Sequence, residues 1–146
     1  MEIRKVRAKD LDKIAYFEKE FFHEDAFSLE TLENTIKDEH FMGFVVEEGT
    51  EVIGYVFVTY FGDEANLLKI AIDKFYRKKG IAKSLLLKCI EEFKELYITN
   101  FFLEVDENNN PARKLYESLG FEKTRIRNNY YKNGDNAIEM VKHIWK

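Results

Sequence analysis

Apolar and polar residues alternate along this chain with two periods, one of about two residues and one of about 3.6, which succeed each other without internal repeats or a linker. The two-residue period predicts seven strands, at residues 2–7, 43–48, 51–61, 65–73, 100–106, 122–131 and 137–144. The helical period predicts four helices, at residues 10–22, 29–37, 80–96 and 110–119. The order βααβββαβαββ predicts a mixed α/β (α+β) fold, with helices on both faces of a central, mostly antiparallel sheet.

Turn and cap residues stand at the borders of these segments. Gly49 and Thr50 separate two strands rich in Val, Phe and Tyr, which indicates a hairpin turn. Ser28 is a suitable N-cap for the second helix, and Gly120 ends the fourth. Residues 132–136 predict a last hairpin between the sixth and seventh strands.

Length and composition predict a single cytoplasmic domain that spans residues 1–146. The 146 residues are 45% hydrophobic, enough for one domain with a real core and too few for two comfortable ones. The one cysteine, Cys89, excludes an internal disulfide and fits a reducing compartment. No run approaches the roughly 18 apolar residues that a membrane span needs, so we expect no membrane partner.

The distribution of charge predicts one local anion site. A net charge of −4 argues against a general nucleic-acid binder, and we expect no direct contact with nucleic acid. Residues 69–88 nevertheless carry seven cations and one anion, a net charge of +6, so the rest of the chain carries −10.

The segment RKKGIAKSLLL, residues 77–87, places cations and a glycine directly before a helix. A helix start leaves several N–H groups unpaired and carries the positive end of the helix dipole, and Gly80 lets a ligand approach the backbone closely. We expect the arrangement to hold a phosphate group, in the form of a pyrophosphate. The alternative is a solvated turn before an ordinary helix.

Two motifs together resemble the GNAT acetyltransferase superfamily. They are R-x-x-G-x-A at residues 77–82 and N-x-x-A-x-x-x-Y-x-x-x-G-F at residues 109–121, each after a predicted strand. Within the superfamily, the segments LLKIAID, LEVDENNNPARKLYESLGF and RIRNNYYKNGDNAIEMVKHI resemble the ribosomal-protein-alanine N-acetyltransferases of the RimI type. The resemblance covers residues 2–144.

The resemblance implies the GNAT fold, acetyl-CoA as the cosubstrate and a set of residues that bind it. The loop would wrap the pyrophosphate, and the preceding strand would pair with the pantetheine arm. Ala82 stands where many members have glycine. Asn109 either contacts the cofactor or caps a helix. The implied binding residues are Ile70, Ala71, Ile72, Arg77, Lys78, Lys79, Gly80, Ile81, Ala82, Lys83 and Asn109.

The resemblance also implies two catalytic residues. Glu104 matches the glutamate that takes a proton from the attacking amine, and Tyr116 matches the general acid that serves the leaving thiolate. Each has a structural alternative: Glu104 could be an exposed strand residue in a salt bridge, and Tyr116 could be a core aromatic. If Phe102, Glu104 and Asp106 share one face of their strand, Glu104 lies on the more polar side.

Neither a covalent intermediate nor a metal is expected. Cys89 lies on the buried side of a helix, and the three histidines, at positions 23, 40 and 143, lack ligand spacing. We therefore expect direct transfer in a ternary complex.

The acceptor implied by the resemblance is the N-terminal α-amine of a protein, in the type case the alanine of a ribosomal protein. Tyr131, and less so Tyr130, would line the peptide slot. The acidic remainder of the chain suits a basic partner. Acetylation of lysine, polyamines or small molecules, or acetyl-CoA sensing without turnover, are the alternatives. We expect a monomer or a weak homodimer.

Overall fold

A computed structural model describes residues 1–144, in which seven strands form one sheet. The strands are β1 (Glu2–Lys5), β2 (Phe41–Glu48), β3 (Glu51–Phe61), β4 (Glu64–Ile72), β5 (Asn100–Asp106), β6 (Glu122–Arg127) and β7 (Ala137–His143). The helices are α1 (Leu11–Phe22), α2 (Leu29–Lys37), α3 (Ile81–Glu95) and α4 (Asn110–Ser118). Number, type and order of the elements confirm the prediction.

The strand order in the sheet is β1-β2-β3-β4-β5-β7-β6. The pairs β1–β2, β2–β3, β5–β7 and β6–β7 are antiparallel, which confirms the mostly antiparallel sheet. The parallel pair, β4 with β5, is short and joins Glu64–Asn66 to Asn100–Phe102.

One compact unit of the chain comprises Met1–Thr59 and Leu68–Cys89. Its core forms because α1 presents an apolar stripe at helical spacing, which packs on one face of β2 and β3, two strands whose central residues are buried on both faces. Each fully buried large apolar side chain contributes about 1.5–3 kcal/mol to folding. The buried residues of this core are Leu11, Ile14, Phe17, Leu32, Val45, Val52, Tyr55 and Phe57.

The second compact unit comprises Tyr60–Leu67 and Ile90–Lys146. Its core is aromatic: the rings of Phe93 and Phe121 meet that of Phe101 edge-on, with centroids 4.8 and 5.4 Å away. Along β5 the buried residues are Phe101, Leu103 and Val105, while the residues between them are half-buried. This alternation places Phe102, Glu104 and Asp106 on one face, which is the condition under which Glu104 lies on the more polar side of the strand.

Strand β6 ends at Arg127, four residues earlier than predicted. Asn129 takes a left-handed conformation with φ 52°, and its N–H donates to the side chain of Asn136 at 2.9 Å. A strand cannot continue through a left-handed residue, so the chain turns there. Tyr130 and Tyr131 therefore lie in a loop and not on a strand.

None of the helices within residues 1–144 is long and apolar enough to cross a membrane.

Candidate active site

The end of β4 forms the first part of the predicted cofactor site. β4 runs close to β3 at Gly54, where an added Cβ would lie 2.7 Å from Ile72 Cδ1 and 3.2 Å from the carbonyl oxygen of Ala71. A turn follows at Asp73, whose carboxylate accepts a hydrogen bond from the N–H of Phe75 at 2.9 Å. The close approach at Gly54 and this turn together fix the backbone of the three residues predicted to meet acetyl-CoA.

The start of α3 forms the second part. Lys78 and Gly80 are left-handed, with φ 63° and 78°, and nothing lies within 4 Å of an added Cβ at Gly80. The first recorded helical hydrogen bond runs from the N–H of Ser84 to the carbonyl of Gly80 at 3.1 Å. The N–H groups of residues 81–83 therefore have no partner within their own helix, which is the arrangement that binds phosphate.

The cations of this segment serve two different purposes. Lys78, Lys79 and Lys83 are exposed around the helix start, where they add positive charge. Lys69 is not available to an anion, because its Nζ lies 3.3 Å from Oε1 of the fully buried Glu18. The predicted anion site thus has fewer cations than the sequence suggests.

Arg77 is also held from within the protein. Its Nε donates to the carbonyl oxygen of Ile72 at 3.1 Å, and its guanidinium lies over the ring of Phe21, 4.8 Å from the centroid. These contacts link the turn before α3 to the end of β4 and to α1.

Sequence reasoning missed a buried cluster around Glu18. Its carboxylate accepts hydrogen bonds from the hydroxyl of Tyr55 and from the N–H of Phe27, in addition to the ion pair with Lys69. Burial and this carboxylate raise the pKa of Tyr55. Glu18 falls on the inner face of α1, and a charged residue in an apolar stripe was the signal that could have revealed the cluster.

The catalytic residues predicted from the motifs lie in the second unit, and Glu104 has two partners there. Its Oε1 accepts a hydrogen bond from the Tyr130 hydroxyl at 3.1 Å, and its Oε2 lies 2.8 Å from Arg127 Nε. The side chain is 29% exposed. Glu104 thus has the contacts of a strand glutamate in a salt bridge, which was the structural alternative. These contacts are compatible with a role as a base.

Glu104 belongs to a row of charged side chains across three strands. Pairing sets Glu104 of β5 opposite Glu139 of β7, and Glu139 opposite Arg125 of β6. Arg125 and Arg127 approach Glu139 Oε2 with nitrogen atoms at 3.3 and 3.5 Å. The hydroxyl of Thr124 donates to Glu139 and lowers its pKa most, with the arginines adding to the effect.

Two tyrosines of the β6–β7 loop stand beside this row. The rings of Tyr130 and Tyr131 meet edge-on with centroids 5.0 Å apart. The pKa of Tyr131 is raised by burial first, and then by the negative charges of Glu104 and Asp106. The structure therefore brings Tyr131 close to Glu104. The direct hydrogen bond to Glu104, however, comes from Tyr130, the tyrosine that the sequence analysis favoured less.

Tyr116 is a buried residue of α4. Its ring packs against Phe121, with centroids 5.8 Å apart, and it lies near enough to Tyr131 to affect that residue's pKa. Burial raises the pKa of Tyr116 to about 12. Tyr116 is thus a core aromatic by packing, and its hydroxyl stays protonated at neutral pH.

Asn109 caps α4, because its side-chain oxygen accepts a hydrogen bond from the N–H of Ala112 at 3.3 Å. The helix-cap alternative is therefore realised, and the side chain is exposed. A cap role and a contact with the cofactor are compatible.

A pair of carboxyl groups completes the surroundings of Tyr131. Burial raises the pKa of Asp106, and the hydrogen bond that Asp106 makes with Asp135 raises it further. The same hydrogen bond lowers the pKa of Asp135. Asp106 is thus the member of the pair that binds a proton more readily.

Cys89 is buried, as predicted for a core thiol. No group of three or more potential metal-ligating side chains was found within residues 1–144.

Comparison with known proteins identifies the family. The acetyltransferase (GNAT) family model matches residues 8–121. The chain is 34% identical to the [ribosomal protein bS18]-alanine N-acetyltransferase of Haemophilus influenzae, over 97% of this chain and 98% of that protein. It is 32% identical to a putative enzyme of the same name from Bacillus subtilis, over 94% and 92% of the two chains.

A solved structure agrees with the sequence comparisons. The crystal structure of the ribosomal-protein-S18-alanine N-acetyltransferase from Escherichia coli superposes with a TM-score of 0.90 at 30% identity, over 99% of this chain and 94% of that chain. The chain belongs to the GNAT acetyltransferase family.

Proposed function

We propose that this protein transfers the acetyl group of acetyl-CoA to the N-terminal α-amine of a ribosomal protein that begins with alanine. The observation that carries the proposal is the grouping of Glu104 with the phenols of Tyr116, Tyr130 and Tyr131 in one cluster. The names of the relatives at 32–34% identity support the choice of acceptor.

Acetyl-CoA would be held by the end of β4 and the start of α3. The free N–H groups of residues 81–83 suit the pyrophosphate, and the exposed lysines 78, 79 and 83 add favourable charge. Gly80 leaves room for close approach, since an added Cβ there would meet nothing within 4 Å. The backbone of Ile70, Ala71 and Ile72 would hydrogen bond the amide groups of the pantetheine arm.

The reaction would proceed by direct attack of the amine on the thioester. An α-amine has a pKa of about 8 and is largely protonated at neutral pH, so Glu104 would accept one proton before attack. The second proton, which the nitrogen loses as the amide forms, would leave to solvent. The carbon–nitrogen bond forms, and the carbon–sulfur bond breaks as coenzyme A leaves as a thiolate. A backbone N–H of residues 70–72 would stabilise the oxyanion between these steps.

Tyr116 would serve the leaving thiolate mainly through a hydrogen bond. A thiol has an ordinary pKa of roughly 8.5, whereas that of Tyr116 is about 12. Complete transfer of the tyrosine proton to the thiolate would therefore be unfavourable, because the two pKa values differ by about 3.5. The hydrogen bond stabilises the departing charge without that penalty, and a proton from solvent then completes the thiol.

The same proposal places the protein in the cytoplasm, where acetyl-CoA and ribosomal proteins meet. A monomer or a weak homodimer is sufficient for it.

The decisive experiment uses a panel of peptides and mass spectrometry of the products. The panel contains an alanine-first ribosomal peptide, the same peptide with its N-terminus blocked, and a blocked peptide that contains lysine. We expect acetylation of the free N-terminus alone. Acetylation of the blocked lysine peptide would contradict the proposed acceptor, and polyamines are tested in parallel.

Inertness toward every amine, with intact binding of acetyl-CoA in calorimetry, would favour a sensor. The presence of both Glu104 and Tyr116 argues against that alternative.

Substitution of Glu104 by Ala tests the role of the carboxylate. We expect a loss of about 100-fold in kcat at neutral pH, since general bases contribute about that much or more. The loss should shrink as pH rises, because a deprotonated amine needs less help. An equal loss at every pH would make Glu104 a structural residue.

A further inference from the structure

The base proposed for the reaction already has a cation beside it. Arg127 Nε lies 2.8 Å from Glu104 Oε2, yet neither atom has a hydrogen-bond partner of acceptable direction. Among the side chains of residues 1–144, these are the two buried polar atoms in that condition. The pair is thus held by charge and not by a directed hydrogen bond.

An ion pair without a directed hydrogen bond is readily replaced by an ion pair that includes one. An ammonium group has three donors on a freely rotating bond, so one of them can point along a lone pair of Oε2. The planar guanidinium of Arg127 has fixed donor directions and does not achieve this alignment here. The protonated acceptor amine would therefore make the stronger contact with the same carboxylate oxygen.

Arg127 has a second carboxylate to which it can move. Its Nη2 lies 3.5 Å from Glu139 Oε2. The hydrogen bond from Thr124 is the largest cause of the lowered pKa of Glu139, and Glu139 is ionised at neutral pH with or without Arg125. An arginine released from Glu104 would keep an anionic partner and would not remain unpaired.

We propose that Arg127 sets the affinity of the acceptor site: it occupies Oε2 of Glu104 until the acceptor's ammonium replaces it, and Glu139 then retains it. This inference rests on the proposed function, since it assigns Glu104 the amine. It makes Arg127 a competitor of the acceptor, so that the site favours amines that arrive charged and well directed.

The test is a comparison of three variants by steady-state kinetics with the alanine-first peptide. Arg127→Met removes the competitor and should lower the KM of the peptide about 3- to 10-fold, the effect expected for one partly exposed charge contact. Glu139→Gln removes the retaining carboxylate and should raise that KM by a similar factor. In both variants we expect kcat to change by less than about twofold.

Arg125→Met is the matched control. Arg125 lies on the same strand, and its guanidinium also approaches Glu139, at 3.3 Å. No ion pair with Glu104 is recorded for it among residues 1–144. We expect its KM for the peptide to stay within about twofold of wild type.

The outcomes separate this inference from the proposed function. KM shifts of opposite sign in the two variants support the exchange. Shifts of the same sign, no shift, or a loss confined to kcat would overturn it and make Arg127 a structural clamp, while the acetyltransferase proposal stands. A wild-type protein that does not acetylate the free N-terminus would overturn the proposed function and this inference with it.

Discussion

At the scale of single residues, the two groups proposed for catalysis are held by different forces. Tyr116 is fixed by packing, with 5% of its surface exposed and its ring against Phe121. Glu104 is fixed by charge, between the Tyr130 hydroxyl and Arg127. Packing holds an atom whatever binds nearby, whereas a charge contact responds to the ligand. We infer that Tyr116 is preset and that Glu104 adapts to the acceptor.

Tyr116→Phe removes the hydroxyl and leaves the packing of the ring unchanged. We expect kcat to fall about 10- to 100-fold, because the leaving thiolate loses its hydrogen-bond donor. The KM for acetyl-CoA should stay within about twofold, because the cofactor would be bound by backbone groups elsewhere. Steady-state kinetics and calorimetric titration with coenzyme A measure the two effects.

Tyr130→Phe provides a comparison for that variant. It removes the hydrogen bond to Glu104 and keeps the ring that meets Tyr131. We expect the loss of this hydrogen bond in Tyr130→Phe to change the KM of the peptide substrate. If Tyr116→Phe weakened the binding of coenzyme A instead of turnover, its hydroxyl would have a structural role.

At the scale of elements, the start of α3 depends on the left-handed glycine that directly precedes it. Gly80→Ala introduces a Cβ at φ 78°, a conformation that costs about 1–2 kcal/mol for a residue with a side chain. Relief of this strain should rotate the first N–H groups of α3. We expect the KM for acetyl-CoA to rise about fivefold or more, measured by steady-state kinetics, since phosphate binding depends on their direction.

Gly49→Ala is the matched control for that change. Gly49 has φ 62°, and nothing lies within 4 Å of an added Cβ, so the strain and the free space are alike. Its turn joins β2 to β3 and has no place in the proposed site. Both variants should lose similar stability, and only Gly80→Ala should lose affinity. Equal KM values would contradict the phosphate site at α3.

The link between α1 and β4 depends on a buried ion pair. In Lys69→Met, the carboxylate of Glu18 remains fully buried without its cation, and we expect about 3 kcal/mol of destabilisation in urea unfolding. The double variant with Glu18→Gln should recover part of this, because an amide oxygen can still accept from Tyr55.

Lys13→Met is the control for the ion pair. Its partner Glu51 is 3.2 Å away, almost the same distance, but both side chains are well exposed. We expect a loss of less than about 1 kcal/mol. Similar losses in Lys13→Met and Lys69→Met would mean that burial does not set the strength of the Lys69 pair.

The elements that sequence predicted well are those whose signals are local. The alternation along β5 placed Glu104 on the half-buried face, and the apolar spacing after Gly80 located the start of α3. The predicted end of β6 was wrong because the chain turns at Asn129. That turn depends on a contact with Asn136 across the hairpin, which the sequence pattern does not show. The partner of Lys69 was missed because Glu18 lies far away along the chain. The sequence pattern reveals the periods of helices and strands and the residues that favour turns. The partners of individual side chains depend on the register in which the elements pack, which the pattern does not reveal.

At the scale of the whole molecule, the net charge of −4 does not show how the charged side chains are arranged in the fold. The sequence located the cationic segment, but folding withdraws Lys69 into a buried pair. The residues proposed for catalysis were equally visible in the sequence, but the arginine beside Glu104 was not. Arg127 reaches Glu104 only because the register of β5, β7 and β6 brings three strands side by side. Motifs therefore predicted the candidate catalytic residues, and the strand register determines which charged side chains lie beside them.

The dependence of stability on pH should be governed by carboxylates bound to arginine, with Arg4 as the main test. Burial would raise the pKa of Asp10, but hydrogen bonds from Arg4 and from the N–H of Arg7 outweigh it and lower the pKa below 3.8. The hydrogen bond from Arg4 likewise lowers the pKa of Glu47 below 4.5. A carboxylate with a lowered folded-state pKa stabilises the fold above its unfolded pKa, and that contribution is lost as pH falls through the folded value.

Arg4→Met should therefore destabilise the protein more at pH 7 than at about pH 3, so that its difference from wild type in the free energy of unfolding narrows on acidification. Urea unfolding at both pH values measures this, with Lys13→Met as the control for a weak exposed pair. The raised pKa of Asp106 acts in the opposite sense, but it is present in both proteins and cancels in the difference. A difference that stays constant with pH would mean that Arg4 acts through the packing of its aliphatic stem, because packing does not titrate.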